Sequence, residues 1–251
     1  MNVPYRCIND SMIKLSYDLH IHSCLSPCGD EDMTPANIVN MAKLLDLDVI
    51  SVTDHNSCRN LPAVYSHAKK NNILLIFGME LCTMEEVHVL CYFRTLEDAF
   101  VFDRYVYDKL IKIQNKKSIF GRQEIYDDKD TRIGEESNLL INATDISFSD
   151  MDELMRSYRG IYVPAHVDKG SNSLLSNLGF VPPDASFQCV EINDKKKADE
   201  LCKAHPYLAC CNIITNSDAH TLGSINEAVN FIEVMERSCE AVLEALNFSH
   251  N

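Results

Sequence analysis

Short apolar runs alternate along the chain with stretches whose apolar residues recur at helical spacing. The runs at 12–21 (MIKLSYDLHI), 47–54 (LDVISVTD), 73–82 (ILLIFGMELC) and 87–93 (VHVLCYF) predict strands, the last two joined by a TMEE turn. So do those at 160–166 (GIYVPAH), 187–194 (FQCVEIND), 212–220 (NIITNSDAH) and 228–234 (AVNFIEV). Between them, 34–46, 60–72, 96–117, 149–158, 195–205 and 238–248 predict helices, the first with Pro35 near its start. Residues 118–137 are polar and acidic and read as an irregular insertion, and 171–184 reads as a loop beside the site described below. This alternation predicts an α/β fold: βα units around a parallel or mostly parallel sheet whose strands can close as a barrel. A helical and irregular segment at about 95–158 is inserted in it, and 1–251 reads as a single domain.

Composition narrows the function classes. No apolar run approaches the ~20 residues that span a bilayer, and the first residues lack the basic and apolar regions of a secretory leader. Eleven cysteines, an odd and scattered set without paired CxxC motifs, suggest reduced thiols rather than a disulfide framework or a zinc finger. The expectation is a cytoplasmic protein without a membrane partner; oligomeric state is not encoded in any pattern found. A net charge of −14 argues against a surface that wraps long nucleic acid. It leaves room for a small phosphorylated substrate, because bound cations, absent from that count, make a pocket locally positive.

The strand-like runs end in His20-Ile21-His22, Asp54-His55, Glu80, His166 and Asp218-Ala219-His220. With His88, six of the nine histidines fall in this set, at the strand edge where barrel active sites assemble. His20 and His22 are two apart and so project to one side of a strand, as a shared ion requires; Asp218 and His220 repeat the spacing. A single HxH is commonly a surface coincidence, but two such pairs, both ending apolar strands, favour ligands. If 83–86 is a tight turn, Glu80 lies across from position 88 or 89, so Glu80 and His88 can reach one ion or simply bond to each other. His55 and Asp54 face opposite ways, which suits His55 as ligand and Asp54 as its support. His166 is a further candidate, its alternative being a core histidine.

DLHIHS, TDHN, GMEL, PAH and SDAH, in this order over roughly 15–93 and 160–222, resemble the PHP (polymerase and histidinol phosphatase) family. The resemblance implies a distorted (β/α)7 TIM-like barrel hydrolysing phosphoesters with two to three divalent ions. On matching positions it puts one ion on His20, His22, Glu80 and Asp218, and a second on Glu80, His88 and His166. A third would take His55, His220 and a residue of the first loop, at Asp30 by its distance from Thr34-Pro35. That loop is longer than the family's, and Cys28 is the alternative ligand.

Such a donor set suits zinc, manganese or iron, and metal-bound water would be the nucleophile, with no protein nucleophile required. Phosphate recruits basic side chains, and Lys169, Arg59 and Arg122 are the candidates, in that order. The expected substrate is a phosphomonoester, a nucleotide or a short oligonucleotide. Two other readings compete: a non-catalytic metal- or nucleotide-binding regulatory barrel, and an amidohydrolase-type metal hydrolase.

Overall fold

The computed structural model describes residues 12–248. The chain runs β1 (Ile13–Ile21), α1 (Pro35–Leu44), β2 (Val49–Val52), α2 (Leu61–Lys70), β3 (Leu74–Cys82), β4 (His88–Phe93), α3 (Leu96–Lys109) and α4 (Lys117–Phe120). It continues through β5 (Glu124–Tyr126), β6 (Arg132–Glu135), α5 (Met151–Ser157), β7 (Gly160–Pro164), α6 (Leu174–Leu178) and β8 (Cys189–Glu191). It ends with α7 (Ala198–Ala204), β9 (Asn212–Ile214), β10 (Phe231–Val234) and α8 (Cys239–Leu246).

Six strands form one curled sheet in the order β10-β1-β2-β3-β4-β7, and β8 and β9 form a parallel pair. Two seams bring that pair into the ring. Val167 N–H donates to the Glu191 carbonyl on one side, and His22 N–H to the Ala219 carbonyl on the other, both at 2.9 Å. The second seam also carries a parallel bridge between Ile21 and Ala219. β1, β2 and β3 are parallel, and the central strands are buried on both faces, which is why they read as near-continuous apolar runs.

On β3, Leu75, Phe77, Met79 and Leu81 pack with the helix residues Ile38, Val64 and Phe102. Ile76, from the opposite face, joins Leu90, Tyr92 and Val163 in a second cluster that Val242 and Leu243 of α8 complete. Gly78 lets β2 come close, since a Cβ there would fall 2.4 Å from Ser51 Oγ. Two residues on, the same face of β3 presents Glu80.

The fold is the expected mixed α/β barrel type, with three departures. β4 is antiparallel to β3, as the TMEE turn implies, but it also runs antiparallel to β7, and β10 antiparallel to β1, so strict βα alternation does not hold. The helix expected to 117 stops at Lys109, because Leu110 is extended and bridges Thr144. The segment expected to be irregular contains α4 and the β5–β6 hairpin. The loop after Lys169 contains α6, started by a Ser173–Ser176 capping box and anchored by buried Leu174. It is tied to the β3–β4 turn through Asn177 Nδ2, which donates to Glu85 O at 2.9 Å. No helix among the described residues is long and apolar enough to cross a membrane.

Candidate metal centre

The end of β1 turns two imidazoles onto one point: His20 Nε2 and His22 Nε2 are 3.1 Å apart. Each ring is held from behind. His20 Nδ1 faces the Glu191 carboxylate at 3.0 and 3.1 Å, and His22 Nδ1 faces Ser26 Oγ at 2.9 Å. Ser26 in turn donates to Asp54 Oδ1 at 2.7 Å, so it accepts from His22. These partners assign the proton of each neutral ring to Nδ1. The two Nε2 lone pairs then face each other, an arrangement satisfied by a shared proton or a cation.

Glu80 sits at the centre. Its Oε1 lies 3.3 Å from His20 Nε2, 3.0 Å from His88 Nδ1 and 3.1 Å from His166 Nε2. Its Oε2 lies 3.3 Å from His22 Nε2 and 3.0 Å from His55 Nδ1. Asp218 Oδ1 stands 3.3 Å from both His20 and His22 Nε2. His220 donates from Nδ1 to the Asp218 carbonyl at 2.7 Å and stacks on His22 with centroids 4.3 Å apart.

Three overlapping triads have donor atoms all within 4.8 Å of one another: His20, His22 and Asp218; His55, Glu80 and His88; His22, His55 and His220. Among the described residues, His55 Nδ1, Glu80 Oε2, His88 Nε2 and His166 Nδ1 are buried polar atoms without a hydrogen-bond partner. Leaving such atoms unpaired costs about 1–3 kcal/mol each; His55 Nδ1 and Glu80 Oε2 face each other at 3.0 Å, while His88 and His166 each turn their other ring nitrogen to Glu80. Donors held about 2.0–2.1 Å from a zinc-sized ion in a tetrahedron would be separated by about 3.3 Å, close to the spacing of His20, His22, Glu80 and Asp218. The residues present therefore fit divalent metal ions.

The charges are mutually adjusted. Burial would raise the Glu80 carboxyl, but the imidazoles of His88, His20 and His55 outweigh it and hold the group well below the usual range. Burial likewise opposes a proton on His20, yet Glu191, Asp218 and Glu80 hold it well above the ordinary imidazole value. His88 is raised to about 10, Glu80 overcoming burial. Burial wins at His55 and His220, which fall to about 3 and about 4.

A cavity of about 190 Å³ opens onto these groups, with Cys28, Ile141, Lys169, Ser171 and Asn172 in its wall. A larger groove of about 610 Å³, lined by apolar residues of β10 and α8, contains none of them. The structure thus brings together His20, His22, His55, Glu80, His88, His166, Asp218 and His220, with Asp54 behind them. Lys169 pairs with Asp218 Oδ2.

Three expected residues stand elsewhere. Asp30 is exposed and in none of the three triads; one of its carboxylate oxygens accepts the Asp32 N–H at 2.9 Å, while its own backbone N–H donates to the His220 carbonyl at 2.9 Å. Arg59 is bound by buried Glu136 and lies over the Tyr107 ring at 4.7 Å. Arg122 is exposed on the inserted hairpin and pairs with Glu124. Conversely, Glu191 is absent from the sequence-derived set although it too ends a strand. The position of every other site residue at a strand end is the signal that would have found it.

Fold and site together define a metal-dependent hydrolase-type barrel. The pattern of the family described as PHP domain matches residues 18–174, and the chain belongs to this family. A segment of 107 residues is 33% identical to the PolC-type DNA polymerase III of Bacillus subtilis, covering 38% of this chain and 7% of the polymerase. The fold is similar to that of a lesion-specific endonuclease, Endonuclease Q of Pyrococcus furiosus, with a TM-score of 0.66 and 20% identity, over 94% of this chain and 56% of the endonuclease. A two-domain protein of Bacteroides vulgatus containing a predicted PHP-like metal-dependent phosphoesterase gives 0.57 and 19%, over 98% of this chain and 65% of that one. The chain therefore spans less than two thirds of each of these proteins.

One expectation is overturned here. Endonuclease Q has been solved with a 27-mer duplex carrying an abasic lesion at its active site, and that structure resembles this chain with a TM-score of 0.63. A net charge of −14 does not exclude long nucleic acid from such a barrel, because it averages the whole surface and omits the ions of the site.

Proposed function

We propose that this chain, acting as a single barrel domain with the 95–158 segment inserted, hydrolyses phosphate esters of nucleic acids or nucleotides at a site of two or three divalent ions. The observation that carries this reading is the set of three overlapping triads built from His20, His22, His55, His88, His220, Glu80 and Asp218, beside a small cavity lined by His55, His88, His166 and His220. His20, His22, Glu80 and Asp218 would hold one ion, Glu80, His88 and His166 a second, and His55 with His220 a third, with Cys28 rather than Asp30 nearest to completing it. Zinc, manganese and iron all suit these donors. Ions held there supply an activated water and neutralise charge on the phosphoryl oxygens.

The chain's own residues supply orientation and exclusivity. Glu80 faces five rings with its two oxygens and so sets the spacing between them. Asp218 turns Oδ1 to the histidines and Oδ2 to Lys169, which holds an ammonium at the cavity wall for a phosphoryl oxygen. The Cys28 residue is exposed as a whole, yet burial of its sulfur and the Glu80 charge push the thiol up to about 12. A protonated thiol is a poor nucleophile, consistent with water as the attacking group.

The test is a hydrolysis screen on protein loaded with zinc or manganese. Substrates are phosphomonoesters, nucleotides, and single-stranded and duplex oligonucleotides with and without an abasic site. Cleavage that is lost with chelator and in Asp218→Asn supports the reading. Bound metal without cleavage of any ester would instead favour a non-catalytic binding role, and cleavage of an amide added to the same screen, with every ester intact, an amidohydrolase. Lys169→Ala is expected to lower kcat/KM about 10–100-fold, the worth of a charged hydrogen bond, mainly through KM. Metal content should be unchanged. An unaltered KM would remove Lys169 from substrate binding.

A further inference from the structure

Glu191 belongs to none of the three triads, yet it is 1% exposed and fully engaged. Its Oε1 takes the Asn216 Nδ2–H at 2.8 Å, and its Oε2 takes the backbone N–H of His166 at 2.8 Å. Both oxygens face His20 Nδ1, at 3.0 and 3.1 Å. Asn216 is anchored in turn, its Oδ1 accepting the Leu19 N–H at 2.8 Å. The carboxylate is thus surrounded by donors from three segments of the barrel. With its acceptor sites turned to those donors, it presents the ring of His20, not itself, to the centre.

The contact with His166 is the second, independent observation. His166 has φ +31°, a backbone conformation that residues with a side chain rarely adopt. That turn aims its Nε2 at Glu80 Oε1, 3.1 Å away. A buried carboxylate accepting the N–H of the same residue holds the strained backbone in place.

We infer that Glu191 is a positioning residue for two donors at once: it fixes the Nδ1–H form and orientation of His20, and it clamps the left-handed turn that delivers His166. This rests on the proposal that these histidines hold metal. Partners of this kind behind a ligating histidine are worth about 10–100-fold in metal affinity. Glu191→Gln keeps the shape but replaces one acceptor oxygen with an amide donor, which must then oppose His20, Asn216 or the His166 N–H.

The experiment is a competition titration of zinc against a chromophoric chelator, with wild type, Glu191→Gln and Glu191→Asp, and circular-dichroism melting of the metal-free proteins. Zinc binding about 10–100-fold weaker in Glu191→Gln, with metal-free melting within a few degrees of wild type and partial rescue in Glu191→Asp, is the expected result. Equal affinity, or a loss matched by unfolding of the metal-free variant, would overturn the inference. Should Glu191→Gln not fold, the absorption spectrum of cobalt-loaded Asn216→Ala decides, since loosening the Glu191 anchor should shift the ligand-field bands and an unchanged spectrum would count against the role. Wild type binding no zinc would remove both this inference and the metal reading. Zinc binding without ester hydrolysis would remove the phosphoesterase alone.

Discussion

Replacing Glu80 with alanine is expected to lower phosphoester hydrolysis by at least about 10³-fold and to remove at least one equivalent of bound metal. Groups one layer behind a ligand are already worth about 10–100-fold. Glu80 stands in front of that layer, within 3.0–3.3 Å of a nitrogen on His20, His22, His55, His88 and His166. Its loss leaves five buried rings without the shared anion that spaces them. Metal analysis by mass spectrometry and a hydrolysis assay on the same preparation check both parts. Full metal content with full activity in Glu80→Ala would show that the carboxylate is only a core partner of the histidines.

Loading the metal-free protein at pH 7 is expected to release protons. His88, raised to about 10, carries one at that pH, and a ligating imidazole must give it up. Calorimetric titration with manganese in buffers of different ionisation enthalpy measures the number directly. The same shifts set the stability of the metal-free protein. A raised group contributes stability that is fully present below its unfolded value near 6.5 and lost as pH rises through its folded value, here toward 10 for His88.

Glu80 and Asp218, both lowered, contribute in the opposite sense: their stability is present above the ordinary carboxylate range and lost on acidification. His55 and His220, lowered to about 3 and about 4, also cost stability as pH falls below about 6.5. Metal-free protein should therefore melt highest at mildly acidic pH and lower toward pH 9. Metal affinity instead strengthens as the imidazoles lose their protons, so melting curves with chelator and with manganese should diverge between about pH 6.5 and 9. Parallel curves and no proton release would mean that these rings are neutral without metal.

The parts of the site readable from sequence are those that local periodicity encodes. An HxH at the end of an apolar run has its two side chains on one face whatever the rest of the chain does; the DAH at 218–220, expected to repeat that geometry, lies beyond the end of β9 at Ile214, with Asp218 at φ +52°, so strand alternation does not set its side chains. Glu80 and His88 are linked by a short turn, which likewise needs no distant information, although the register sets Glu80 across from Leu90 and His88 across from Cys82, not Glu80 across from 88 or 89 as expected. The strand alternation placed all of these at one sheet edge. What escaped depends on contacts between remote segments. Glu191 closes a three-residue strand and resembles a surface acid until β8 is brought to the end of β1, 171 positions away from its partner His20.

Arg59 looked available for phosphate because its competitor, Glu136, lies 77 positions downstream in the insertion. Asp30 commits one carboxylate oxygen to a turn with Asp32, a local contact that spacing from Thr34-Pro35 does not reveal. The end of α3 at Lys109 was set by a bridge to Thr144, where the helical pattern itself continues. Net charge failed for a different reason, being a sum over the surface where function depends on one pocket.

The way the insertion is fastened has a consequence for how such a protein can change. Asn56 Nδ2 donates to the carbonyls of Leu140 and Asn142 at 2.7 and 2.8 Å. Asn60 holds Glu124 O and the Tyr126 N–H at 3.1 and 2.9 Å. These ties run from barrel asparagines to main-chain atoms, which every replacement except proline preserves. The identity of a rim residue such as Ile141 is thereby uncoupled from the attachment of its segment. The rim can be rewritten residue by residue for a new substrate while the asparagines keep it docked, so substrate preference can drift in evolution without renegotiating the catalytic barrel.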